Sequence, residues 1–74
     1  WIGEKPLIWS TENNIVIQFT KPINGFVALY DISGKLIRKE NISSSEHSLS
    51  AEKENVYLIL IESENGRYIQ KLVH

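Results

Sequence analysis

Asp31, His47 and any of eight serines are the residues of this 74-residue chain whose types could assemble a nucleophilic triad, with Asp31 its only aspartate. Such chemistry needs the three groups within hydrogen-bond reach and a pocket to hold the substrate. No serine lies in a nucleophile-elbow context, and so short a chain leaves little material for a pocket. Asp31 stands where a turn wants an Asx cap and His47 stands in a polar stretch, so turn and surface roles are the stronger reading. Metal binding needs clustered ligands. The chain has no cysteine, and its two histidines, His47 and His74, lie far apart without a local carboxylate–histidine cluster. Both are expected to be solvated, and neither a metal nor any other cofactor is implied. Trp1, Trp9, Tyr30, Tyr57 and Tyr68 could line a sugar-binding platform, yet in a small domain aromatics are first of all core-filling units. Asn41-Ile42-Ser43 matches a glycosylation acceptor pattern that is too short to carry weight.

The elements that must position these residues follow from a period of two in the apolar residues, which are mainly Ile, Val, Leu, Tyr and Phe. The alternation predicts strands over Asn14 to Thr20, Gly25 to Asp31, Lys35 to Ile42, Val56 to Glu62 and Arg67 to Val73. Short strands are expected at Pro6 to Trp9 and His47 to Ser50. In the third run Leu36, Arg38 and Glu40 would share one face, with Ile37 and Lys39 on the other. Val56 to Ile61 is apolar throughout and predicts a central strand covered on both faces. Charged residues at Glu52, Lys53, Glu54, Glu62 and Glu64 flank it as gatekeepers. Asp31-Ile32-Ser33-Gly34 and Glu64-Asn65-Gly66-Arg67 read as hairpin turns, and Pro22 with Asn24-Gly25 as a looser reversal. About seven short strands with turns at such intervals predict an all-β fold, a small antiparallel sandwich or barrel.

Composition excludes several functions. Eight basic residues dispersed among nine acids give a net charge of −1, which argues against nucleic acid as a partner. No apolar run approaches the ~20 residues of a membrane-spanning helix. The absence of Met, including an initiator, leads to the expectation that the chain is a piece of a longer protein. Residues 1–13 are expected to form a linker and first short strand, and residues 14–74 the domain proper.

The ordered series Phe26-Val27-Ala28-Leu29-Tyr30-Asp31-Ile32-Ser33-Gly34-Lys35-Leu36-Ile37, a Ser-rich connection, Val56-Tyr57-Leu58-Ile59-Leu60-Ile61 and Gly66-Arg67-Tyr68-Ile69-Gln70-Lys71-Leu72-Val73 resembles one known family. It is similar to the C-terminal sorting domains of proteins exported by the type IX secretion system of Bacteroidetes. Tyr30 and Gly34 fall on the family's hairpin motif, Tyr57 on its central strand, Gly66 on the turn before the last strand, and Lys71, Leu72 and Val73 on its terminal segment. Two departures stand out. Glu54-Asn55 replaces a common Pro and Gly before the central-strand Tyr, with Asn55 expected to tolerate a left-handed backbone, and His74 replaces a terminal Lys or Arg.

The resemblance implies an immunoglobulin-like sandwich that follows a cargo domain in the same chain. The outer-membrane type IX translocon would recognise it, and in most members a sortase-like surface protease then removes it. The domain would be an address rather than an enzyme, its parent being exported through the periplasm to the cell surface or medium. Lys71, Leu72, Val73 and His74 are the candidate recognition residues, with Lys71 and His74 expected to remain available to a receptor. The last strand would add to a partner's sheet through its free edge, which is also where a second copy would pair. The alternative is an adhesion or carbohydrate-binding module of the same fold.

Overall fold

Successive strand side chains point to opposite faces, so each alternating run can bury its apolar side only against another such run. The computed structural model, which describes residues Trp1–His74, contains seven strands and no helix. They are β1 (Leu7–Ser10), β2 (Asn14–Gln18), β3 (Gly25–Asp31), β4 (Leu36–Ile42), β5 (Glu46–Ser50), β6 (Val56–Ser63) and β7 (Gly66–Val73). Every pairing is antiparallel, in one sheet of order β1-β2-β5 and a second of order β4-β3-β6-β7. Of the two all-β forms that alternation predicts, a sandwich or a barrel, the sandwich is the one observed.

The core lies between the sheets. Ile15 and Ile17 of β2 and Leu49 of β5 meet Val27 and Leu29 of β3, Ile42 of β4, and Tyr57, Ile59 and Ile61 of β6. Phe19 and Ile23 join the same cluster from the connection after β2, and Trp1 packs on Phe19 with ring centroids 6.3 Å apart. Each fully buried aliphatic side chain contributes roughly 1.5–3 kcal/mol. The segment before β2 takes part as well, since β1 pairs along β2 from Leu7↔Gln18 to Ser10↔Ile15.

Two local expectations are corrected. Gly25 does not reverse the chain: it opens β3, paired with Ile42 on one side and Ser63 on the other, and a Cβ there would overlap the Glu62 carbonyl. Its lack of a side chain serves the close approach of β3 to β6. In β4 the register shifts opposite Leu29 and Tyr30, so Leu36 pairs with Tyr30 and Ile37 is the extra residue. A bulge of this kind breaks simple alternation. Leu36, Lys39 and Asn41 therefore lie opposite Tyr30, Ala28 and Phe26 and share their side of the sheet, instead of Leu36 pointing with Arg38 and Glu40.

Nor are the histidines simply solvated. His47 lies within β5 with 18% of its side chain exposed, and its Nε2 is 2.8 Å from Glu40 Oε1 on β4. This pair ties an edge strand of one sheet to an edge strand of the other. His74 is half-buried, with Nε2 3.1 Å from the Ala51 carbonyl oxygen and its ring 6.2 Å from that of Tyr57.

Candidate functional site

The last strand hangs on a tight hairpin. Ser63 pairs with Gly66 across Glu64 and Asn65, so the loop is one residue earlier than the Asn65-Gly66 pair suggests. Gly66 itself takes a φ of 108°, as Gly34 takes 91° in the β3–β4 turn, and both values favour glycine over any residue with a Cβ. The register then runs from Glu62↔Arg67 to Val56↔Val73. Tyr68 and Leu72 pack against the core, and the Tyr68 hydroxyl donates to Gln70 Oε1 at 2.7 Å. Ile69 is 62% and Val73 71% exposed, with Arg67 and Lys71 open beside them.

The backbone divides in the same way as the side chains. His74 N–H donates to the Asn55 carbonyl at 2.9 Å. Because bonding alternates along an antiparallel strand, Tyr68, Gln70 and Leu72 then direct their N–H and C=O groups at β6, while Arg67, Ile69, Lys71 and Val73 direct theirs away from the sheet. The residues with unpaired backbone are those whose side chains face outward. Of the candidate recognition residues, the structure leaves Lys71 and Val73 accessible, packs Leu72 inward, and ties His74 down through the Ala51 and Asn55 carbonyls. His74 is therefore held against the domain by its ring and its backbone N–H.

The edge continues into a face that the sequence reading did not single out. Reading across β4, β3, β6 and β7, the register sets Lys39, Ala28, Leu60 and Ile69 in one row and Leu36, Tyr30, Leu58 and Lys71 in the next. The row of Asn41, Phe26, Glu62 and Arg67 closes one end, and Val56 beside Val73 the other. Lys39 Nζ sits 4.2 Å over the Phe26 ring, and Arg67 Nη2 is 3.2 Å from Glu62 Oε1. The unbroken apolar run Val56 to Ile61 carried the signal for this face, since it demands cover on both sides. The inner side has more of it: Tyr57, Ile59 and Ile61 are buried, whereas Val56, Leu58 and Leu60 are half-buried, with the small Ala28 buried between them and their neighbours on β4.

The remaining motif residues hold the turns. Asp31 Oδ1 accepts from Ser33 N–H at 2.9 Å, Ser33 Oγ–H at 2.6 Å and Lys35 N–H at 2.9 Å. The Ser33 hydroxyl first, and then the Lys35 amide, hold this carboxyl below the usual carboxylate range. Tyr57 is buried, and its hydroxyl donates to the Glu52 carbonyl at 2.8 Å, pinning the connection into β6. In that connection the left-handed residue is Glu54, with φ 63°, and not Asn55.

The residues weighed for other chemistry are not brought together. Asp31 ends β3 of one sheet, while His47 lies in β5 of the other with Glu40 as its partner. No three His, Asp or Glu side chains converge as metal ligands. The aromatics scatter: Tyr57 is in the core, Trp1 packs between Phe19 and Tyr68, Trp9 lies on β1, and Tyr30 is on the outer face of the four-stranded sheet.

The family model of the secretion system C-terminal sorting domain matches residues 11–74. No curated protein matches the chain.

Proposed function

The chain belongs to the family of secretion system C-terminal sorting domains, and we propose that it works as a non-catalytic address whose last strand, β7, is read by the type IX outer-membrane translocon through strand addition. The observation that carries this reading is the coincidence on β7 of unpaired backbone groups with exposed Ile69, Lys71 and Val73. An incoming strand gains main-chain hydrogen bonds along the edge, and its alternate side chains meet these three. Lys71, Leu72, Val73 and His74 thus divide the work. Lys71 and Val73 present themselves, while Leu72 and His74 fix the strand they stand on.

Chemistry on the exported protein lies with the partner. A sortase-like protease at the cell surface would act on the chain near the domain's N-terminal boundary, at or before residues 1–13, and separate it from an upstream cargo domain. The product would be delivered to the cell surface or the medium. Nothing in the scattered aromatic positions favours a carbohydrate platform.

Removing Lys71 to His74 outright would also remove Leu72 from the core and the His74 bonds, confounding recognition with folding. A cleaner test uses proline, which edge strands accept where the N–H faces away from the sheet. In a signal-peptide–reporter fusion expressed in a Bacteroidetes host, Ile69→Pro should keep a cooperative thermal transition and stay in the periplasm. Ile69→Ala, which keeps the N–H, should retain most of the export. Equal export of the two variants would overturn strand addition at β7.

A further inference from the structure

We infer that the outer face of the four-stranded sheet is a docking surface for a protein whose own contact face is apolar and bordered by carboxylates. This deepens, and rests on, the sorting reading above, because it names the chemistry of the partner that reads the module.

The first ground is the pattern of charge around the apolar strip. Tyr30, Leu58 and Leu60 form the middle of the face, with Lys39 on β4 and Lys71 on β7 flanking them from opposite edges. Neither lysine has a carboxylate within ion-pair distance, and the one acid on the face, Glu62, is engaged by Arg67 at 3.2 Å. The chain as a whole is slightly acidic at −1, yet this face sets Lys39, Lys71 and Arg67 against Glu62 alone. A surface with acids on both sides of an apolar ridge is its electrostatic complement.

The same pattern argues against a second copy. Two such faces stacked about a two-fold axis would bring lysines together with no free carboxylate between them. Size argues likewise: four strands ~4.8 Å apart and seven residues of ~3.4 Å each give a face on the order of 400 Å². A standard stable interface buries about 800 Å² on each partner. An area of this kind suits a contact that is made and released, as a sorting signal requires.

An anionic lipid surface would satisfy the lysines but offers no ordered strand to the β7 edge. Ile69 and Lys71 belong to both the face and that edge, so an occupant reaching both must present backbone as well as carboxylates. A protein does so.

The experiment reverses charge at the two corners. In the reporter fusion, Lys39→Glu combined with Lys71→Glu should keep a cooperative thermal transition, lowered by only a few degrees through the lost contact of Lys39 with the Phe26 ring, and lower export at least tenfold. Lys5→Glu with Lys21→Glu, an equal charge change off this face, should export normally, and Lys39→Gln with Lys71→Gln should fall between. Export of the corner reversal at the unaltered level, or equal loss in both reversed pairs, would overturn the inference while leaving the sorting reading intact. So would self-association in sedimentation, or flotation with phosphatidylglycerol vesicles, if either is abolished by the corner reversal, since the face would then belong to a second copy or to lipid. Failure of the unaltered fusion to leave the periplasm would overturn the sorting reading itself, and this inference with it.

Discussion

Along β6, Tyr57, Ile59 and Ile61 point into the sandwich and are sealed, while Leu58 and Leu60, one residue away and no less apolar, are only half-buried. The neighbouring strand repeats the contrast, with Val27 and Leu29 in the core and Phe26 and Tyr30 outside it. The outer side of the other sheet differs again: Gln18, Glu46, Ser48 and Ser50 dominate it, beside Leu7, Trp9 and Val16. Apolar residues on an unpartnered face contribute little to folding and expose the chain to aggregation. On the four-stranded sheet they form a continuous strip between Lys39 and Lys71, whereas Leu7, Trp9 and Val16 of the other sheet lie beside the polar Glu46, Ser48 and Ser50 of β5. In the reading proposed above, the inner face of the four-stranded sheet accounts for stability, and the outer face, with its β7 edge, for recognition.

The sharpest way to break this division is to truncate adjacent residues on β6. Ile59→Ala leaves a cavity among fully buried neighbours and should cost about 2–5 kcal/mol. That approaches the whole stability of a domain this size, at ~0.05–0.15 kcal/mol per residue. Leu60→Ala removes a half-buried side chain whose surroundings can relax toward solvent and should cost about 1–2 kcal/mol. Thermal unfolding of the two variants checks the claim, and similar losses would mean that the outer face is packed as tightly as the core. With the fold retained, Leu60→Ala should nevertheless reduce export of a fused reporter.

Much of this was legible in the sequence, because period-two alternation and strong turn residues are local signals. All seven strands lie within two residues of the alternation boundaries, and Gly34 and Gly66 take the positive φ that their turns require. What was not legible depends on neighbours distant in the chain. Gly25 serves the approach of Glu62, which no local pattern announces. His47 finds Glu40 only because two edge strands of different sheets lie side by side. The bulge at Ile37 decides that Leu36 faces outward, and it is a property of the β3–β4 pair, not of β4 alone. The accessible half of the terminal segment could likewise be assigned only once the register with β6 was known, since a slip of one residue exchanges its faces.

A smaller effect sharpens the comparison at the entry to β6. Glu54 holds φ 63° while its N–H donates to the His74 carbonyl at 2.9 Å, so a strained residue helps set the register that sends Leu72 inward and Lys71 outward. A left-handed backbone costs a non-glycine residue roughly 1–2 kcal/mol. Glycine removes that strain but adds freedom to the unfolded chain, worth about 0.4–1 kcal/mol. Glu54→Gly should therefore stabilise the domain by about 0.5–1 kcal/mol, raising its melting temperature by about 4 °C. A lower melting temperature would mean that the Glu54 side chain, rather than the backbone geometry, holds the turn.

The smallest effect concerns the turn that leads into the bulged strand. The Asp31 carboxylate organises Ser33 and Lys35 through three hydrogen bonds that favour its ionised form. Its folded pKa therefore lies below the ordinary value of 3.8. A depressed carboxylate pKa contributes stability that is fully present above the ordinary value and is lost as the pH falls through the lowered one. Asp31→Asn keeps the size of the side chain and one acceptor oxygen but removes the charge. The variant should melt slightly below the unaltered domain at neutral pH, and the gap should close once the pH is taken below the folded value. A gap that persists unchanged in acid would show that the turn depends on shape and hydrogen bonding alone. The bulge that places Leu36 on the outer face would then owe nothing to charge.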